Sequence, residues 1–159
     1  MSFELKPEIK QVLTKINFVE RYEALSESSR DISAKADIID ISIEQVTKII
    51  NDLGYETKYD KKERFFKVGL VEDLPKYRIW FNVVLRSGVA EFIWVVYHNE
   101  EVRLGSPWSI YPKLLISPDK RIKPPLYSTS LDLEKLLRTA LEMYEDFKQG
   151  VVDEYKISD

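Results

Sequence analysis

Two periodicities divide the chain. Behind Pro7, a residue suited to a first helical turn, Ile9, Val12, Leu13, Ile16, Val19 and Tyr22 recur at helical spacing. The pattern predicts a helix from about Pro7 to Leu25, interrupted by the polar run Ser26 to Ser29. A second helix is firm from Ser42, where Ser-Ile-Glu-Gln has the form of a capping box. Ile43, Val46, Ile49, Ile50 and Leu53 give it one apolar face, and Gly54 is placed to end it. The pattern leaves open whether this helix begins near Asp31 or only at Ser42.

After Gly54 the period changes to two. Tyr55 to Tyr59 and Arg64 to Leu70 read as strands joined by the polar turn Asp60 to Glu63. Glu72 to Pro75 reads as a loop, since Pro75 cannot donate to a ladder. The strongest pattern follows. Tyr77 to Arg86 and Val89 to His98 flank Ser87-Gly88, a two-residue turn with a glycine available for positive φ. A tight turn sets Arg86 opposite Val89, and the two faces of the hairpin follow from that pairing. Tyr77, Ile79, Phe81, Val83 and Leu85 share the core face with Ala90, Phe92, Trp94, Val96 and His98. The other face carries Arg78, Trp80, Asn82, Val84 and Arg86 beside Val89, Glu91, Ile93, Val95 and Tyr97.

Glu101 to Leu104 extends this sheet in the reading, and Trp108 to Tyr111 offers a fifth strand. Pro112, Pro118, Pro124 and Pro125 argue against regular structure over 112–128. A last helix is expected over Leu131 to Gln149, capped by Ser130 and stopped by Gly150, with a tail at 151–159 free to fray. Helices, then an antiparallel sheet of four to five strands, then a helix make a two-layer α+β fold in a single domain over 1–159.

Composition narrows the chemistry. The 159 residues are 44% hydrophobic and 32% charged, enough for one core under a solvated surface. Apolar runs are of strand length, well below the roughly 20 residues of a membrane helix, so no membrane association is expected. The N-terminal stretch lacks the apolar region of a secretory signal. With no cysteine, disulfides, thiolate metal sites and cysteine nucleophiles are excluded, and a cytoplasmic location is expected. The formal net charge of −3 is distributed as −4 over 1–60, +2 over 61–112, +3 over 113–130 and −4 over 131–159. This balance does not suggest a nucleic-acid binder; a basic protein surface is the better partner for the acidic ends.

Candidate chemistry is sparse. His98 is the one histidine, and a general base would need a carboxylate such as Glu100 or Glu101 to position it; a strand-end structural histidine is the simpler reading. Five glycines form no phosphate-binding or nucleophile-elbow motif, and no cofactor or metal is expected. Asp37 with Asp40, and Glu142 with Glu145 and Asp146, fall at helical spacings that also suit solvated faces. Lys120 to Lys123 is a short basic run in the proline-rich loop. The second face of the hairpin is more informative. Trp80, Val84, Ile93, Val95 and Tyr97, rimmed by Arg78, Arg86 and Glu91, have the composition of a protein interface if neither the 112–128 loop nor the N-terminal helix covers them. Trp108, beside Pro107 and Pro112, is a second candidate anchor, although loop tryptophans often plug a core edge instead.

The helix ending at Gly54, the hairpin YRIWFNVVLRSGVAEFIWVVYH, the GSPW turn and the helix DLEKLLRTALEMYEDFKQG together give the chain a layout that resembles bacterial toxin-neutralising immunity proteins, including those of contact-dependent inhibition. The resemblance implies a non-catalytic cytosolic protein that neutralises a cognate toxin by occlusion. It carries no residue roles, because such families share no fixed site. Two other readings stand beside it: a secretion-chaperone-like module, dimeric, holding a client segment on the sheet face, and a small-ligand binder or enzyme with His98, Glu100 and Glu101 at a pocket mouth. Monomer and homodimer both remain open.

Overall fold

Hairpin geometry organises the molecule. In the computed structural model, which describes residues 4–32 and 41–157, both Ser87 (φ 50°) and Gly88 (φ 78°) adopt positive φ. That is the primed turn that matches the twist of paired strands. It pairs Arg86 with Val89 and carries the register without a slip to Tyr77 opposite His98, joining β3 (Tyr77–Arg86) to β4 (Val89–His98). β1 (Thr57–Asp60) and β2 (Phe65–Asp73) add on one side and β5 (Glu101–Leu104) on the other. The result is one antiparallel sheet in the order β1-β2-β3-β4-β5. The register of β2 on β3 shifts between Val68 and Val71. At this bulge Gly69 takes φ 64°, and a Cβ there would lie 2.9 Å from the Tyr144 ring.

Among the described residues, the helices α1 (Pro7–Lys15), α2 (Phe18–Ser28) and α3 (Ile43–Asp52) precede the sheet. The single helix expected from Pro7 to Leu25 is two. Asn17 adopts a left-handed conformation (φ 57°) that asparagine tolerates better than most residues, and the chain turns so that Phe18 enters the core. Ser26 and Ser28 do not interrupt α2 but belong to it. At Ser42 the capping box forms as expected: Gln45 N donates to Ser42 Oγ at 3.1 Å, and Ser42 N donates to Gln45 Oε1 at 3.0 Å. Ser42 is extended (φ −67°, ψ 157°), so α3 begins at Ser42 and not near Asp31; the Asp37–Asp40 pair lies outside the described residues.

The fifth strand is Glu101–Leu104, not Trp108–Tyr111. Pro107 and Pro112 each lack a ladder donor, and the chain between them forms a 3-10 turn (Trp108–Ile110) running into α4 (Tyr111–Leu115). The final helix, α5 (Ser130–Ile157), passes through Gly150 without stopping. A Cβ at Gly150 would lie 2.7 Å from Val12 Cγ1, so this glycine permits α1 to approach α5 closely. The tail does not fray over its described part: Val151, Val152 and Tyr155 are buried. Thr129, not Ser130, caps α5, its Oγ1 accepting from Asp132 N at 3.1 Å.

The core lies between the inner sheet face and the helices. It is markedly aromatic: Trp94 stacks on Phe147 with ring centroids 4.2 Å apart, and Phe18, Phe81, Phe92 and Trp108 pack around it. Arg103 of β5 grips Glu8 of α1 with two bonds of 2.8 and 2.9 Å, and Tyr155 of α5 donates to the same carboxylate at 2.8 Å. Among the described residues, no helix is long and apolar enough to cross a membrane.

Candidate functional site

The outer sheet face is built by alternation. Odd positions of β3 and even positions of β4 point into the core, so Arg78, Trp80, Asn82 and Val84 point to the outer face beside Glu91, Ile93, Val95 and Tyr97, of which Val95 is itself buried. The main core cluster includes none of these outer-face side chains. Pro107 and Leu126 bridge to Ile93 and Val89, along the free edge of β4.

The centre of this face is a self-packed group of rings and cations. Trp80 and Tyr97 stack nearly parallel, 12° between planes and 5.8 Å between centroids. Lys67 Nζ of β2 lies 4.2 Å from the Trp80 ring centroid. The Arg78 guanidinium lies 5.3 Å from Trp80 and 4.8 Å from Tyr97. Trp80 Nε1 donates to Asn82 Oδ1 at 2.9 Å, which satisfies the indole and fixes its rotamer. Trp80 and Tyr97 are accordingly half-buried, while Val102 of β5, opposite Tyr97, is 52% exposed and extends the apolar strip.

Electrostatics give the face a sign. Burial pushes the Lys67 ammonium below its ordinary pKa, and the neighbouring Arg78 charge pushes it further. Lys58, opposite Lys67 in the register, adds to this. Among the described residues no carboxylate forms an ion pair with Lys58, Lys67, Arg78 or Arg86, although Glu72 and Glu91 stand on the same face. Glu72 partly offsets this, but among the described residues the cations that border the rings form no carboxylate ion pair.

Of the sequence candidates, Arg78, Trp80, Arg86, Glu91, Ile93 and Tyr97 share this face, with the first, second and last in mutual contact. Trp108 does not belong to it. Only 1% exposed, it is a core residue: beyond the Pro107 bridge the chain drops inward, and the indole packs on Phe18, Tyr22 and Phe92. Lys67 and Val102 are the additions. Val102 follows from alternation once Glu101–Leu104 is a strand. Lys67 was hidden because the bulge at Gly69 and the loop at Pro75 obscure the β2 register.

The other candidates are engaged in structure. His98 stacks on Tyr155 at 3.9 Å, its Nδ1 meets Lys76 O at 3.0 Å, and Asn99 Nδ2 donates to its Nε2 at 3.2 Å. Glu145 accepts from Tyr55 Oη and Lys148 Nζ, and Asp146 pairs with Arg21, so these carboxylates serve separate contacts. Lys120 pairs with Glu23 at 2.9 Å. No family model, curated protein or solved structure matches the chain.

Proposed function

We propose that the chain is a non-catalytic protein-binding protein whose outer sheet face grips an acidic partner, most concretely an immunity protein that neutralises a cognate toxin in the cytosol. The observation that carries this reading is the Lys67–Trp80–Arg78–Tyr97 group: large rings held rigid by their own contacts, beside cations that form no carboxylate ion pair among the described residues. Trp, Tyr and Arg dominate interface energetics because they bury much area at little cost in side-chain freedom. Packing and the Asn82 bond order Trp80 before a partner arrives, which lowers the entropy lost on docking. The cations favour a carboxylate-rich surface, a different sign from the basic partner suggested by the acidic chain ends. Lys67 and Arg78 already occupy positions over the rings, which favours docking of a protein surface over base stacking.

The test is binding of the purified chain to the toxin domain encoded beside its gene, by calorimetry, together with growth protection on co-expression. A 1:1 complex is expected. Trp80→Ala and Arg78→Glu each should weaken it by about 2 kcal/mol or more, on the scale of interface anchors, with an unchanged circular dichroism spectrum. Binding that ignores both substitutions would overturn the assignment of this face. Failure to bind or protect would overturn the immunity reading.

A further inference from the structure

The free edge of β4 carries a second feature, separate from the rings on the outer face. Leu126 bridges to Val89 and Pro107 bridges to Ile93, and between these two points the edge is open. The opening is a cavity of about 460 Å³ bounded by β4, α2 and the proline-rich loop, a size suited to a small molecule. Backbone direction matters here. In an antiparallel ladder closed by the Arg86–Val89 pair, alternate residues of β4 point their peptide groups away from β3. Ala90 N donates outward to Pro125 O at 3.0 Å, and Trp94 N donates outward to Tyr111 Oη at 3.4 Å. Phe92 lies between them, and its N–H has the same outward direction at the cavity wall, with no acceptor among the described residues.

Charge converges on the same opening. Lys113, Arg121 and Lys123 line it, and none of their side chains has an ion-pair or hydrogen-bond partner among the described residues; Glu91 is the one acidic side chain in the lining. Pro107 and Pro124 supply flat apolar walls. The loop that brings these residues is tethered to α2. Ser26 Oγ donates to Lys123 O at 2.6 Å, Leu126 N donates to Ser29 Oγ at 2.9 Å, and Arg30 Nη2 donates to Pro124 O. Tyr22 also lines the cavity; burial, then Glu91, push its hydroxyl up to about 12 against the opposing influence of Arg30, so it remains a neutral donor at physiological pH.

We propose that this cavity is a binding site for a small organic oxyanion, a carboxylate or phosphate monoester on a compact flat body. The anion takes the Phe92 N–H and the Lys113 and Arg121 charges, and the body lies between the prolines. Glu91 accepts from a donor on the ligand and disfavours a second negative group there. The site shares Glu91 with the candidate partner face but needs neither Trp80 nor Tyr97, so it does not rest on the partner reading.

The experiment is a titration of the isotope-labelled full chain with phenyl phosphate, benzoate and benzyl alcohol, followed by the backbone amide resonances. Phenyl phosphate or benzoate should shift the Phe92 amide saturably, whereas benzyl alcohol should not. Whichever anion binds more tightly identifies the ligand as phosphate or carboxylate. The double variant Lys113→Ala/Arg121→Ala should weaken binding about tenfold or more, as expected for lost charged hydrogen bonds, and added salt should weaken it in the native chain. The single change Arg121→Glu, at an exposed position, is the second variant should the double one unfold. No saturable shift at Phe92, equal binding of benzyl alcohol, or undiminished affinity in a folded variant would overturn the proposal.

Discussion

Glu8 illustrates how one side chain can tie three elements together. Burial alone would raise its pKa, but the hydrogen bonds from Arg103 and Tyr155 outweigh it and hold the carboxyl down at about 2, against 4.5 for the free group. A depressed folded pKa places the stabilisation above the unfolded value, and it is lost as pH falls through the folded one. The shift corresponds to roughly 3 kcal/mol, an order-of-magnitude figure for a partly buried group. The expected outcome is that Glu8→Gln lowers stability at neutral pH and flattens the loss of stability between pH 4.5 and 2, read by urea melts across that range. An unchanged acid limb would show that Arg103 and Tyr155 hold the carboxylate less tightly than their distances indicate.

At the scale of elements, local rules carried further than long-range ones. The Ser87-Gly88 turn set the hairpin register because a two-residue loop leaves no slack, and the Ser42 cap needed only residues three apart. Gly150 is the opposite case. Its role is decided by Val12, far away in the chain, and local pattern alone offers a glycine only as a helix stop. Trp108 was ambiguous on the same grounds: nothing beside it in sequence reveals that Phe18, Tyr22 and Phe92 converge on it. Of the candidate face, the β3–β4 half was legible and the Lys67 contribution was not, since a bulge hides the register of β2. The Gly150 reading makes a definite prediction. Alanine should gain about 1 kcal/mol in helix propensity, yet Gly150→Ala should destabilise the chain, because the β-branched, buried Val12 cannot swing away. In a double-mutant cycle, Val12→Ala combined with Gly150→Ala should cost less than the sum of the single changes. Simple additivity would exclude the clash.

For the whole molecule, the described helices pack on the inner face of the sheet and the cation-bordered rings lie on the other, so the face proposed for binding is set apart from the aromatic core. A partner of acidic character should therefore associate faster at low ionic strength, with the on-rate falling as salt rises and the off-rate changing little. Stopped-flow mixing measures this directly, and a salt-independent on-rate would argue for an uncharged contact. Sedimentation adds a separate discriminator. A monomer that forms a 1:1 complex fits the immunity reading, whereas a stable homodimer favours the chaperone-like alternative.

The length of α5 has a bearing on how the chain is made. Residues from Leu133 to Tyr155 of this one helix plug the interior, and Phe147 stacks on the central Trp94. The sheet and the earlier helices therefore leave the ribosome with a row of aromatic rings uncovered. Collapse to the finished interior must wait for the end of α5 to emerge, so the nascent chain passes through a stage at which a holding chaperone would find abundant greasy surface.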